Sequence, residues 1–160
     1  MKRNLLRIIS MILLTSILLC GCGGEKNQTI TSNGLTMTIP ASMKDITEDS
    51  GYTFAYASNK QAVIGLYEEK SIFLSYGLDL TLEEYCDLVI QGNSLDAAPT
   101  EVNGLLTFRF DSVVNGETYS YLAAVFENTD AFWLIQCSSK SADFDGYYEN
   151  FLNYLGSVQP

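Results

Sequence analysis

The chain carries no histidine among its 160 residues, which removes the side chain most used as a general base near neutral pH and the commonest metal ligand. Chemistry would have to come from carboxylates, hydroxyls, lysines and thiols. Glu68-Glu69, Glu83-Glu84 and Asp143 with Asp145 are spaced as carboxylate pairs, the residue type that supplies acid and base for glycoside hydrolysis. A structural role competes at two of them. Glu83 and Glu84 stand in the first turn of a predicted helix, and Asp143 and Asp145 at the start of a second, where the helix dipole favours negative charge. Ser139-Lys140 and Lys70-Ser71 are formal nucleophile–base neighbours, but adjacent residues on a strand point to opposite faces. Asp143-Phe144-Asp145-Gly146 is oxygen-rich enough to suggest calcium, yet it lacks the third ligand before the glycine and the distal glutamate of an EF-hand loop. No recognisable catalytic constellation results. The expectation is a protein that is not an enzyme and holds neither cofactor nor metal.

The thiols divide into two groups. Cys86 lies on the apolar face of a predicted helix, and Cys137 shares a strand face with Trp133 and Ile135. If that face meets the helix, a disulfide is within reach, closing a loop of about 50 residues and stabilising by about 4 kcal/mol in the chain-entropy model. The alternative is two buried, reduced cysteines that pack as small hydrophobes. Cys22 has a different setting. Lys2, Arg3 and Arg7 form a positive n-region, Ile8 to Leu19 an apolar stretch, and Leu19-Cys20-Gly21-Cys22 closes it. This pattern resembles the lipobox of bacterial lipoproteins. The resemblance implies cleavage before Cys22, a diacylglyceryl group on its sulfur, and attachment to the cell membrane on its extracytoplasmic side. The apolar stretch is interrupted by Ser10, Thr15 and Ser16 and falls short of the roughly 20 residues that a membrane-crossing helix needs.

Cleavage defines three parts: a signal peptide over 1–21, a lipidated N-terminus and tether over 22–28, and one domain over 29–160. Formal charge is −10 for the whole chain. Losing Lys2, Arg3 and Arg7 and no acidic residue makes it −13, with six basic against nineteen acidic side chains. Such a field repels phosphate backbones and anionic head groups, so nucleic acid is excluded as a partner and direct docking on a bilayer is unfavourable. Contact with the membrane is expected through the lipid.

The elements that must position any site follow from periodicity. Thr29 to Thr31 and Leu35 to Ile39 flank Asn33-Gly34, the strongest short hairpin signal, and Pro40 ends the second strand. Further strands are predicted over Tyr52 to Ala57 and Ala62 to Tyr67. From Leu80 the period changes to 3.6, with Leu82, Tyr85, Cys86, Val89 and Ile90 on one face. Thr81 and Glu84 fit a capping box, and Gly92 is placed to stop the helix. Leu105 to Asp111, Glu117 to Glu127 and Ala131 to Ser138 read as antiparallel strands joined by short turns, one of them Asn115-Gly116. Phe144, Tyr147, Tyr148, Phe151, Leu152 and Leu155 mark a second amphipathic helix ending near Gly156. The order strands, helix, strands, helix predicts an α+β fold in which an antiparallel β-sheet is flanked by helices.

Tyr52, Phe54 and Tyr56 alternate with Thr53, Ala55 and Ala57, which puts three rings on one strand face. Exposed, that face is a binding platform for sugar rings or a protein; buried, it is core. Tyr119 and Tyr121 pose the same choice.

Five segments taken together carry a resemblance: a strand ending in Ile39-Pro40, the Thr81-Leu82-Glu83-Glu84-Tyr85 helix start, Gly104-Leu105-Leu106-Thr107-Phe108, Phe132-Trp133-Leu134-Ile135-Gln136-Cys137, and the aromatic terminal helix. They resemble the PsbP-like fold, an α/β/α sandwich shared by photosystem accessory subunits, a nuclear-import factor and many small bacterial lipoproteins. The resemblance implies an accessory, non-enzymatic role, because members mainly bind or stabilise partners and share no catalytic motif. The expected function is therefore a membrane-anchored lipoprotein with a protein partner in the envelope. The competing expectation is a glycan-binding or glycan-hydrolysing module that uses acidic and aromatic residues.

Overall fold

The computed structural model describes residues 26–160; the expected signal peptide, Cys22 and the first part of the expected tether lie outside the described residues. The chain begins with a hairpin of β1 (Asn27–Ser32) and β2 (Leu35–Pro40), turned by Asn33 and Gly34 with φ of 42° and 83°. Two successive positive φ values are what a type I′ turn demands, and Asn-Gly supplies them at least cost. Gln28, placed by sequence in the tether, belongs instead to β1, because its side-chain amide donates to the Pro40 and Met43 carbonyls.

Then follow β3 (Lys44–Asp45), α1 (Thr47–Ser50), β4 (Phe54–Ala57), β5 (Gln61–Glu69), α2 (Lys70–Ser75), α3 (Leu82–Gly92), β6 (Thr100–Val102), β7 (Leu105–Val114), β8 (Glu117–Glu127), β9 (Ala131–Lys140) and α4 (Phe144–Gly156). Seven strands make one sheet in the order β3-β4-β5-β9-β8-β7-β6, every neighbouring pair antiparallel. The fold is thus α+β, an antiparallel sheet between helices, as the sequence pattern predicts. Asn115-Gly116 turns β7 into β8, with φ of 52° and 84°. The capping box at α3 is formed in both directions: Thr81 Oγ1 accepts the Glu84 N–H at 3.2 Å, and Glu84 Oε2 accepts the Thr81 N–H at 2.8 Å.

Each sheet face has its own core. On the first, Trp133, Ile135 and Cys137 of β9 meet Leu122 and Ala124 of β8 and Val63 of β5, covered by Phe144, Phe151, Leu152 and Leu155 of α4. The hairpin completes this cover with Ile30, Leu35, Met37 and Ile39. It is held there by the chain end: Thr36 and Gln159 exchange backbone hydrogen bonds of 2.8 and 2.9 Å, and Ser157 Oγ accepts the Thr38 N–H. On the second face, Phe132, Leu134, Ala123, Val125 and Phe108 lie under Tyr85, Cys86, Val89 and Ile90 of α3. Tyr85 stacks on Phe132 at 4.4 Å and donates its hydroxyl to Glu68 at 2.6 Å.

This layering decides between the alternatives at two places. Cys86 and Cys137 are both buried free thiols on opposite sides of the sheet, because the Trp133 face meets α4 and not α3. No disulfide joins them. The aromatic face of Tyr52, Phe54 and Tyr56 does not exist as a unit either. Phe54 is 3 % exposed and packs against Trp133 at 6.0 Å, and Tyr56 is half-buried on the same core. Tyr52 precedes the strand. Gly51 takes φ 75° and Thr53 Oγ1 accepts the Tyr67 N–H at 2.9 Å, so regular alternation ends before Tyr52, which lies instead beside Ile64 and Leu66 on the second face.

Gly65 is where Phe54 finds its room. The Phe54 ring lies against the Gly65 Cα, and a Cβ there would fall inside the ring edge. Overpacking of this kind costs about 1–3 kcal/mol. Gly65→Ala should therefore lower the urea midpoint by an amount of that order, and Phe54→Leu in the same chain should recover part of the loss; additive effects in the double variant would contradict the contact.

Burial pushes the Cys86 thiol up from its ordinary 9.0 to about 11, with smaller contributions from the Asp87 and Glu83 carboxylates, and burial alone raises Cys137 further. Both thiols are favoured neutral in the folded state. Their stability contribution is fully present below pH 9 and is lost as pH rises toward and beyond 11. Urea midpoints should fall between pH 9 and 10, below the ordinary tyrosine value, and Cys86→Ala should flatten part of that slope.

Candidate functional site

The two faces are covered unequally, for a reason of length. Strands β7, β8 and β9 run 10, 11 and 10 residues, roughly 33–37 Å at about 3.3 Å per residue. Helix α3 has 11 residues, roughly 16 Å at 1.5 Å each. On the first face α4 and the hairpin share the work; on the second α3 lies over the middle strands, with Phe73 of the short α2 packed edge-on against Tyr85 and Phe132. Beyond its C-terminal end an open groove of about 340 Å³ remains.

The groove floor is sheet. Ile64 and Leu66 come from β5, Leu134 and Gln136 from β9, Tyr121 from β8, and Phe108, Phe110 and Ser112 from β7. Val89, Asn93 and Leu95 close the helix side, and Tyr52, 41 % exposed, closes the other. Register explains the convergence. Ile64 pairs with Gln136, Gln136 with Ala123, and Tyr121 with Phe110, so side chains from four adjacent strands project in one band. Phe110 and Tyr121 stack at 4.7 Å with ring planes 5° apart, and Phe108 stacks on Phe110 at 5.9 Å.

Gln136 marks the site. From Ala131 to Ser139 every residue of β9 is buried except this one, which is half-buried at the centre of the sheet. Its side-chain amide makes no hydrogen bond among the described residues, and no charged side chain lines the groove. Burial, then the neighbouring Tyr52 and Tyr119 hydroxyls, raise the Tyr121 pKa above its ordinary 10.0, so its hydroxyl stays protonated and able to donate. The groove thus offers apolar ring surface beside an amide and hydroxyls. Such a combination orients a ligand but supplies no nucleophile.

A larger hollow of about 560 Å³ lies between the hairpin, α1 and β4. It is more open in character: Asp45, Glu48 and Asp49 rim it, all exposed, and hydrogen bonding from the Thr47 side chain, then from the Thr47 N–H at 2.9 Å, lowers the Asp45 pKa. The groove on the second face is the better site, because its rings and amide converge on a buried floor. Ile72, Leu74 and Tyr76, exposed by 53, 55 and 80 %, form a separate apolar surface on α2 and the residue after it.

The residues singled out for catalysis have structural occupations. Lys70 pairs with Glu127 at 2.6 Å while Ser71 donates to Glu69, and Lys140 pairs with Glu117 while Ser139 is buried. Glu68 accepts from Tyr85, Glu84 caps α3, and Asp145 lies 3.6 Å from Arg109. Among the described residues no three His, Cys, Asp or Glu side chains are grouped to hold a metal.

Of the expected binding face only Tyr52 reaches the groove. Phe110, Tyr121 and Gln136 were legible in part: Tyr119 and Tyr121 share this face, but only Tyr121 lines the groove, and Gln136 is an amide inside an otherwise apolar strand. That interruption is the signal that locates the site.

No family model matches the chain, and no curated protein matches it. Solved structures do. The chain is similar to the solution structure of cyanobacterial PsbP (CyanoP) from Synechocystis sp. PCC 6803, at 12% identity over 87% of this chain and 95% of that one, with a TM-score of 0.53. It is similar to Mog1, in a point-mutant form, at 10% identity over 84% and 95% with a TM-score of 0.52. A protein of Bacteroides thetaiotaomicron VPI-5482 aligns at 7% identity with a TM-score of 0.56, covering 84% of this chain and 48% of that one, so the chain spans about half its length. At these identities the likeness concerns architecture alone, and what it shows is that the chain has the PsbP-like fold.

Proposed function

We propose that this protein is a lipid-anchored, extracytoplasmic binding protein without catalytic activity of its own, and that the groove beside α3 is where it binds. The observation that carries this reading is Gln136, an amide without a side-chain hydrogen bond among the described residues, set beside stacked rings at the one position from Ala131 to Ser139 that is not buried. Half-buried, it can exchange water for the polar groups of a ligand. The structural occupations of the serines, lysines and carboxylates support a binding role over a catalytic one. So does the charge, −13 after cleavage, which keeps the domain away from anionic surfaces it does not need to touch.

Location rests on the segment before Cys22. A diacylglyceryl-cysteine anchors stably where a single acyl chain does not. The five residues from Cys22 to Asn27 reach roughly 18 Å at most, which holds the start of β1 close to the bilayer. The acidic domain is carried beyond it.

Intact mass of protein extracted from membranes tests the anchor. A chain beginning at Cys22 with a diacylglyceryl mass increment is expected, and Cys22→Ala should move the protein to the soluble fraction; an unmodified Cys22 overturns this part of the proposal. For the binding role, a component co-extracted with the full chain in mild detergent should be lost on Gln136→Arg, which fills the groove with a charge, and kept on Lys60→Ala. Equal recovery with both variants would place binding elsewhere.

A further inference from the structure

We infer that the groove takes a neutral saccharide, one or two sugar rings of a longer glycan, lying against Tyr52, Tyr121 and Phe110 with its hydroxyls on Gln136. This inference rests on the binding role proposed above and names the ligand class for that same site. The stacked Phe110 and Tyr121 cover one face of each other and leave apolar ring edge to the groove, while Tyr52, 41 % exposed, offers ring surface that suits the C–H face of a pyranose. A carboxamide offers one acceptor and a two-proton donor side by side, matched to a pair of vicinal hydroxyls, and at Gln136 both halves are unoccupied among the described residues. The protonated Tyr121 hydroxyl, Ser112 and the Asn93 carbonyl oxygen add further polar points at the rim. The volume, about 340 Å³, is at the small end of the roughly 300–1,000 Å³ of ligand sites, and it admits a short stretch of glycan.

The same features weigh against competitors. No lysine or arginine lines the groove and the chain is strongly acidic, so phosphorylated or carboxylated ligands meet no counter-charge. An extended peptide binds a sheet through free backbone groups at an edge strand. Here the floor is β5, β9, β8 and β7, of which β9 and β8 are paired on both sides. Strand β6 pairs only with Leu105–Thr107, so the β7 edge from Phe108 onward is open, and the peptide control below reports whether it is extended. An acyl chain would gain from the rings but would bury the Gln136 amide without a partner, which is unfavourable.

Binding is read by ring-proton NMR of the full lipidated chain, with tyrosine and phenylalanine labelled, in a detergent that carries no sugar head group. The probes are cellohexaose and chitohexaose, with polygalacturonate as the anionic control and a tyrosine-containing hexapeptide as the peptide control. Saturable shifts at Tyr52, Phe110 and Tyr121 are expected with at least one neutral hexasaccharide and not with either control. Gln136→Leu, which keeps the shape and removes the amide, should weaken that affinity about tenfold or more, as should Tyr52→Ala at its exposed position; Tyr67→Phe, on the other face, should leave it unchanged. Absence of saturation by both hexasaccharides at millimolar concentration, or undiminished binding by Gln136→Leu, overturns the saccharide assignment. If a co-extracted component is nonetheless lost on Gln136→Arg, the binding role stands and only the ligand class falls; if neither is seen, both fall.

Discussion

Strand β9 is the constraint on which the structure depends. It lies at the middle of a seven-stranded sheet, between β5 and β8, and carries apolar side chains on both faces. A strand of that composition must be roofed twice. Trp133, Ile135 and Cys137 require one layer, and Phe132 and Leu134 require another. At about 25 cal/mol per Å² of apolar surface withdrawn from water, each large ring or aliphatic chain contributes about 1.5–3 kcal/mol, so leaving either face bare would forfeit much of the net stability of a chain this size. The remaining elements can be understood as roofs. Helix α4, the hairpin and the terminal Gln159 contact close one face, and α3 roofs the other.

The roofs differ because their materials differ. Two separate elements cover the first face, and its core includes Trp133 at 0 % exposure, an indole whose Nε1 has no hydrogen-bond partner among the described residues. Such an orphaned donor costs about 1–3 kcal/mol, tolerable only inside a tightly filled layer. The second face has α3, about half as long as the strands beneath it, with Phe73 of the six-residue α2 added beside Tyr85 and Phe132. What these cannot reach is a band of rings crossed by a single amide. Surface left open in this way is an aggregation hazard if it is wholly apolar. Gln136, Ser112 and Asn93 make it wettable while keeping ring surface available, which is the physical compromise that a binding groove represents.

Much of this was legible from residue patterns, for stated reasons. The Asn33-Gly34 and Asn115-Gly116 turns declare themselves because few residue pairs tolerate two positive φ values, and the Thr81–Glu84 box declares α3 because its two hydrogen bonds need those side chains at that spacing. The α+β class follows from the order of such elements, and the likeness to the PsbP-like fold from the five segments that resemble it. Asn103-Gly104, with φ of 54° and 77°, carried the same turn signal for β6 and β7 and locates a strand of three residues that periodicity is too short to reveal. Helices α1 and α2, of four and six residues, are likewise below the length at which a 3.6-residue period can be read. What no pattern supplied was the pairing of helix with face. Both faces of β9 are apolar, so sequence alone placed Cys137 opposite Cys86 as readily as opposite α4. The site suffered from the same ambiguity: alternation groups Tyr52 with Phe54, whereas Gly51 and Thr53 end the strand between them and send the rings to opposite sides.

Unequal roofing is the central claim, and solvent paramagnetic relaxation of ring protons tests it most directly. A soluble gadolinium chelate should broaden the rings of Tyr52, Phe110 and Tyr121 strongly while leaving Trp133, Phe54, Phe144 and Phe151 sharp, since the former line the groove and the latter are at most 3 % exposed. Equal protection of both sets would mean that the groove is closed and that the second face is covered as completely as the first, which would contradict the account.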